Sequence, residues 1–89
     1  MTDKYDAAMY ASLGGRLADI RMDLDAATER HRKIGERLEK GDLYEAIAST
    51  ELMLVYADDI KARAKRLAET ADFLLDILRA RYATEELGG

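Results

Sequence analysis

The sequence predicts an all-α protein: a long antiparallel helical hairpin that assembles as a helical-bundle homo-oligomer. Its first arm is expected to be kinked or broken at Gly14–Gly15. Three observations carry this. The 89 residues contain no proline and are dominated by Ala, Leu, Glu, Asp, Arg and Lys, mostly strong helix formers. Apolar residues recur at alternating spacings of three and four, a heptad signature of coiled-coil-like packing. One short turn signal, "KGDLYE" at residues 40–45, divides the pattern in two.

The first arm carries Tyr10, Leu13, Leu17, Ile20, Leu24, Ala27, His31, Ile34 and Leu38 as its predicted seam. Two adjacent glycines in "SLGGRL" cost about 2 kcal/mol against two alanines in a helix interior. A break there would give a short helix over about residues 3–13, then a long one over about 15–40, whereas a kink would give a plain hairpin. At the turn, Gly41 suits the left-handed conformation that ends a helix, and Asp42 reads as the N-cap of the next. Glu45 lies three residues on, where a capping-box partner belongs. A link this short makes the arms antiparallel neighbours.

The second arm, about residues 43–83, repeats the pattern through Leu43, Ala46, Thr50, Met53, Ala57, Ile60, Ala64, Leu67, Ala71, Leu74 and Leu78. The remaining residues, 84–89, are expected to fray. Folding about residues 41 and 42 brings Asp19 and Asp23 level with the cluster Lys61, Arg63, Lys65 and Arg66; the plainer expectation is a salt-sensitive surface network, the other a contact that fixes the register. Glu29 with Lys33, Glu36 with Lys40, and Asp59 with Arg63 have the favoured i, i+4 order. All 89 residues read as one helical domain.

A chain this small has a thin core. With no cysteine and one histidine, disulfides and metals do not offer a remedy, and oligomerisation does. The second arm also carries more apolar surface than one partner helix covers. Ile47, Leu54, Ala68, Leu75 and Tyr82 are spaced by sevens beside the seam, interrupted by Lys61. Leu52, Val55, Tyr56, Phe73 and Ile77 widen the stripe. The predicted oligomer or partner interface is Ile47, Leu54, Val55, Phe73, Leu75, Ile77 and Tyr82, with a dimer favoured. The competing expectation is that the N-terminal segment, with Tyr5, Met9 and Tyr10, folds back over part of it.

Net charge is −4, which argues against nucleic acid as the partner. The longest apolar run, "LMLVYA" at residues 52–57, is too short to span a bilayer, and "MTDKYDAAMY" lacks a signal-peptide layout. The expected setting is cytoplasmic, in keeping with the missing cysteines.

Chemistry is sparsely marked. Ser12 and Ser49 have no orienting motif. A di-metal bundle needs Glu-x-x-His, but Thr28 stands three before His31. "SLGGRLAD" lacks the lysine and spacing of a phosphate loop. The paired acids Asp58 with Asp59, and Asp72 with Asp76, read as solvated faces. No catalytic residue, metal or cofactor is expected. Arg30, Arg32, Lys33, Arg37 and Lys40 form a candidate patch for an anion or an acidic partner. The plainer account is the preference of cations for a helix C-terminus.

His31 is the candidate phosphoacceptor. With Gly35 at +4 it resembles, in part, the acceptor segment of histidine phosphotransfer domains. Those carry a lysine at +3, where this chain has Ile34, its lysine being Lys33 at +2. The heptad places His31 on the seam, which suits a polar residue that sets register. The function expected is a small acidic, non-enzymatic protein-interaction module that regulates or inhibits a larger partner through a helical face. Small acidic virus-encoded inhibitors of host machinery share this size and composition. A phosphotransfer-like protein using His31 is one alternative. The other is a small-ligand or nucleotide binder at an inter-protomer pocket lined by tyrosines and arginines.

Overall fold

A computed structural model describes residues 4–87, with side chains from Asp6 to Glu85. Two helices, α1 (Lys4–Glu39) and α2 (Leu43–Tyr82), form an antiparallel hairpin, and a π-helical turn (Ala83–Leu87) follows. The described residues contain no strand. The hairpin measures 69 × 17 × 14 Å, with a radius of gyration of 20.1 Å. A compact domain of this length would have a radius of about 12 Å. The molecule is therefore a rod two helices wide.

The turn forms as the sequence implies. Gly41 adopts φ +71°, the left-handed conformation. Its N–H donates to Leu38 C=O at 3.1 Å, and Asp42 N–H donates to Arg37 C=O at 2.9 Å, the two bonds of a Schellman cap. The Asp42 carboxylate accepts from Glu45 N–H at 3.1 Å and starts α2. Only half of the capping box is made, because Asp42 N–H is already taken by Arg37.

Three expectations are corrected. Helix α1 runs unbroken through Gly14 and Gly15, so there is no separate helix over residues 3–13. Asp3, where that helix was to begin, lies outside the described residues, as does the side chain of Tyr5. Helix propagation is cooperative, and packing along the rest of α1 outweighs about 2 kcal/mol of glycine penalty. The tail is a π-helical turn as far as Leu87 rather than frayed, with the Thr84 hydroxyl donating to Ala80 C=O at 3.0 Å. Gly88 and Gly89 lie outside the described residues. The i, i+4 ion pairs are also redrawn. Arg32, rather than Lys33 or Lys40, takes both Glu29 (2.6 Å) and Glu36 (2.8 Å).

The largest correction concerns the seam. In α2 the buried and half-buried residues are Ala46, Ser49, Met53, Tyr56, Ile60, Arg63, Leu67, Thr70, Leu74, Ile77 and Arg81, with Leu52 at the g flank. In α1 the half-buried residues are Asp6, Met9, Leu13, Arg16, Ile20, Asp23, Ala27, Arg30, Ile34 and Arg37, with Ser12, Ala26 and Lys33 at the g flank. In heptad letters, the a column (Leu13, Ile20, Ala27, Ile34; Ala46, Met53, Ile60, Leu67, Leu74) is where the apolar pattern put it. Its companion is the d column, one residue away from the expected e column. The expected e residues Tyr10, Leu17, Leu24, Leu38, Leu43 and Leu78 are exposed instead.

The d column is largely polar and carries the contacts between the helices. Arg63 reaches Asp19 (Nη1 to Oδ2, 3.3 Å) and Asp23 (Nε to Oδ2, 2.7 Å). Arg16 Nε donates to Thr70 Oγ1 at 2.9 Å, and Thr70 donates on to Arg66 C=O at 2.9 Å. Near the open end the a column contributes as well, with Arg81 paired to Asp6. Among the described residues only Ala46 and Ser49 are buried, at 6% and 7% exposure. They sit beside the turn, where the short link holds the helices together.

A Cβ added at Gly15 meets nothing within 4 Å, and Gly15 faces away from α2. Gly15→Ala is expected to stabilise the fold by about 1 kcal/mol through helix propensity. Thermal denaturation should show a melting temperature raised by about 4–8 °C. An unchanged or lowered midpoint would mean that α1 is not continuous there.

Candidate functional site

The site is a face rather than a cleft, and it follows from the rotation of the seam. Each helix repeats by sevens, so each heptad column keeps its side along the rod. In an antiparallel pair the e columns of both helices lie on one side and the g columns on the other. A groove at the turn end confirms the sidedness. Its volume is about 380 Å³, and Ile34, Leu38, Leu43, Ala46, Ile47, Thr50, Glu51 and Leu54 line it. All but Glu51 belong to the a, e and b columns of the two helices. A small cleft between Arg16, Asp19, Arg63 and Arg66 marks the opposite side, where d and g residues meet.

The e and b columns hold nearly all the exposed apolar bulk. From α1 come Tyr10, Leu17, Leu24 and Leu38, and from α2 come Leu43, Ile47, Leu54, Leu75, Leu78 and Tyr82, all more than 40% exposed. Small residues fill the gaps between them: Gly14 and Gly35 in α1, and Ala57, Ala64, Ala68 and Ala71 in α2. Arg21 and Lys61 are the charges near the middle of this face. Only Met22, Tyr44, Val55 and Phe73 among the large exposed apolar residues lie elsewhere.

The predicted interface residues therefore separate. Ile47, Leu54, Leu75 and Tyr82 share the b column and the open face. Val55 and Phe73 are exposed on the other side of α2, and Ile77 is half-buried against α1. Sequence reasoning gave the α1 contribution, Tyr10, Leu17, Leu24 and Leu38, to the hairpin seam. The available signal was charge: seating Arg63 between Asp19 and Asp23 turns the d columns inward and the e columns out.

His31 is corrected too. It is exposed, in the e column between Leu24 and Leu38, and does not set the register of the seam. Gly35 leaves open space beside it. Lys33 is in the g column, on the opposite side of the hairpin, and Ile34 faces α2. The histidine thus has no cation of its own segment on its face.

The basic cluster divides as well. Arg32 is clamped between Glu29 and Glu36. Its hydrogen bonds and charge hold the Glu29 carboxyl below the usual range, and the two carboxylates hold Arg32 well above its own. Arg30 and Arg37 (d) and Lys33 and Lys40 (g) lie together on the polar side of the rod. The groove within the hairpin is lined by no tyrosine and no arginine. Among the described residues, no group of three or more His, Asp or Glu side chains is placed to hold a metal ion. None of the described helices is long and apolar enough to cross a membrane. Comparison with family models, curated proteins and solved structures gave no match to this chain.

Proposed function

We propose that this chain is a non-enzymatic protein-interaction module that works through its open apolar face, in a helical-bundle homo-oligomer or against a larger protein it regulates. One observation carries the reading. Among the described residues, ten of the fourteen large exposed apolar side chains lie on one side of the rod, in columns that run along it. Scattered apolar residues are ordinary on a protein surface, but a continuous stripe marks an interaction site. A groove of apolar columns with spacings of three and four recognises another amphipathic helix.

Capture experiments test this. A tagged wild-type chain and a Leu24→Glu/Leu54→Glu variant are each used as bait in cells that also make the untagged chain. Both substitutions are on exposed positions, so the variant should keep its helical circular dichroism. Proteins bound through the face, the untagged chain included, should come down with the wild type and be lost with the variant. Equal recovery by both baits, or no recovery by either, overturns the reading.

A further inference from the structure

We infer that the occupant of the apolar face is a second copy of this chain, the two hairpins closing face to face as a four-helix bundle. This names a partner for the interaction face and rests on that reading. Three independent features of the rod point to a second hairpin rather than a single docked helix.

The first is angular. At about 100° per residue, the midline between columns a and d points at the other helix of the hairpin. The midline between e and b lies about 100° further round. In a four-helix bundle the two neighbours of each helix are about 90° apart, whereas in a three-helix bundle they are about 60° apart. Both helices turn their e and b columns to the same side, so each has a second contact stripe where a square bundle needs one. A third helix seated in the groove would centre between a and e. It would leave Ile47, Leu54, Leu75 and Tyr82 at its margin.

The second is the composition of the seam. The a column is almost wholly apolar, while the d column mixes Arg16, Asp23, Arg30, Arg37, Arg63 and Thr70 with Met9, Ser49, Tyr56 and Ile77. That is a poor arrangement for a free-standing hairpin. In a four-helix bundle it is the expected one. Columns a and e face the bundle axis, and d moves to the wetted outer edge of the contact within each hairpin. The stripe read from the sequence, alternating a and e along both arms, is then the core of the assembly.

The third is area. A folded chain of 10.0 kDa is expected to expose about 5,200 Å², yet the hairpin exposes 6930 Å². The difference, about 1,700 Å² per chain, amounts to about 3,400 Å² for a pair. That lies within the range of obligate homodimer interfaces. The small residues Gly14, Gly35, Ala57, Ala64, Ala68 and Ala71 on this face admit close approach by another helix.

Sedimentation equilibrium of the purified full chain from 1 to 100 µM decides the matter. The expected mass is twice 10.0 kDa. Leu54→Asp should weaken association at least 100-fold and return the mass to one chain. Val55→Asp, the next residue, is also exposed but on the other side of α2, and it should leave the pair intact. This control separates loss of the interface from loss of the fold. A single-chain mass at every concentration, a mass of three or more chains, or equal dissociation by both variants overturns the inference. A single-chain mass combined with face-dependent capture of another protein would sink the second copy while leaving the interaction face standing.

Discussion

Arg63→Ala is expected to lower stability by about 1–2 kcal/mol, a drop in melting temperature of about 4–16 °C at fixed protein concentration. The reason is the asymmetry between making and breaking a partly buried ion pair. Asp23 Oδ2 is buried, and no donor reaches it with hydrogen-bond geometry. The charge of Arg63 Nε, 2.7 Å away, is what offsets its desolvation. Removing the guanidinium leaves a carboxylate largely out of water with its partner gone, which costs more than the pair contributes. Arg63 is itself 38% exposed and Asp19 53%. Solvent screening therefore keeps the effect below the 3–5 kcal/mol typical of fully buried pairs. A double-mutant cycle with Asp23→Ala gives the sharpest reading. The double variant should be more stable than the sum of the single losses predicts. Additive losses would mean that the d columns do not meet.

Ser49→Leu is expected to destabilise by about 1–3 kcal/mol, while Ser49→Ala changes little. Ser49 is 7% exposed, in the d column one turn beyond Ala46, which is 6% exposed. The two are the only buried residues among those described, and both are small. Small side chains let the backbones approach closely just after a link of three residues, where the Schellman cap leaves little slack. A leucine there must push the helices apart or adopt a poor rotamer. Urea denaturation followed by helical circular dichroism measures the loss. A Ser49→Leu variant as stable as wild type would show that the helices do not pack tightly beside the turn.

Much of this architecture was legible in the chain. The turn came from Gly41 and Asp42, because a left-handed residue and an N-cap are local requirements met by local chemistry. The a column was legible too, since an apolar residue every seven positions leaves no other inward face. Asp19 and Asp23 aligned with a basic cluster on the far arm, and the structure seats Arg63 between them. The Gly14–Gly15 pair misled for the opposite reason. Propensity is a local term, and a helix held along 36 residues overrides it.

The sequence by itself determined two helices, their turn, their antiparallel order and one line of contact between them. Only the tertiary structure decided which column completes that line. Periodicity weighs hydrophobicity alone, so it paired column a with the leucines of column e. The folded hairpin pairs column a with the charges of column d, because Arg63 with Asp19 and Asp23, and Arg16 with Thr70, join the helices in that rotation. A rotation of about 50°, half of the roughly 100° between successive residues, thereby moves Leu17, Leu24, Leu38 and Leu43 from a presumed interior to an open face. His31 moves with them, from a presumed seam to the surface. Hydrophobic pattern names the residues that leave water, but cross-helix polar contacts choose which neighbour they leave it for.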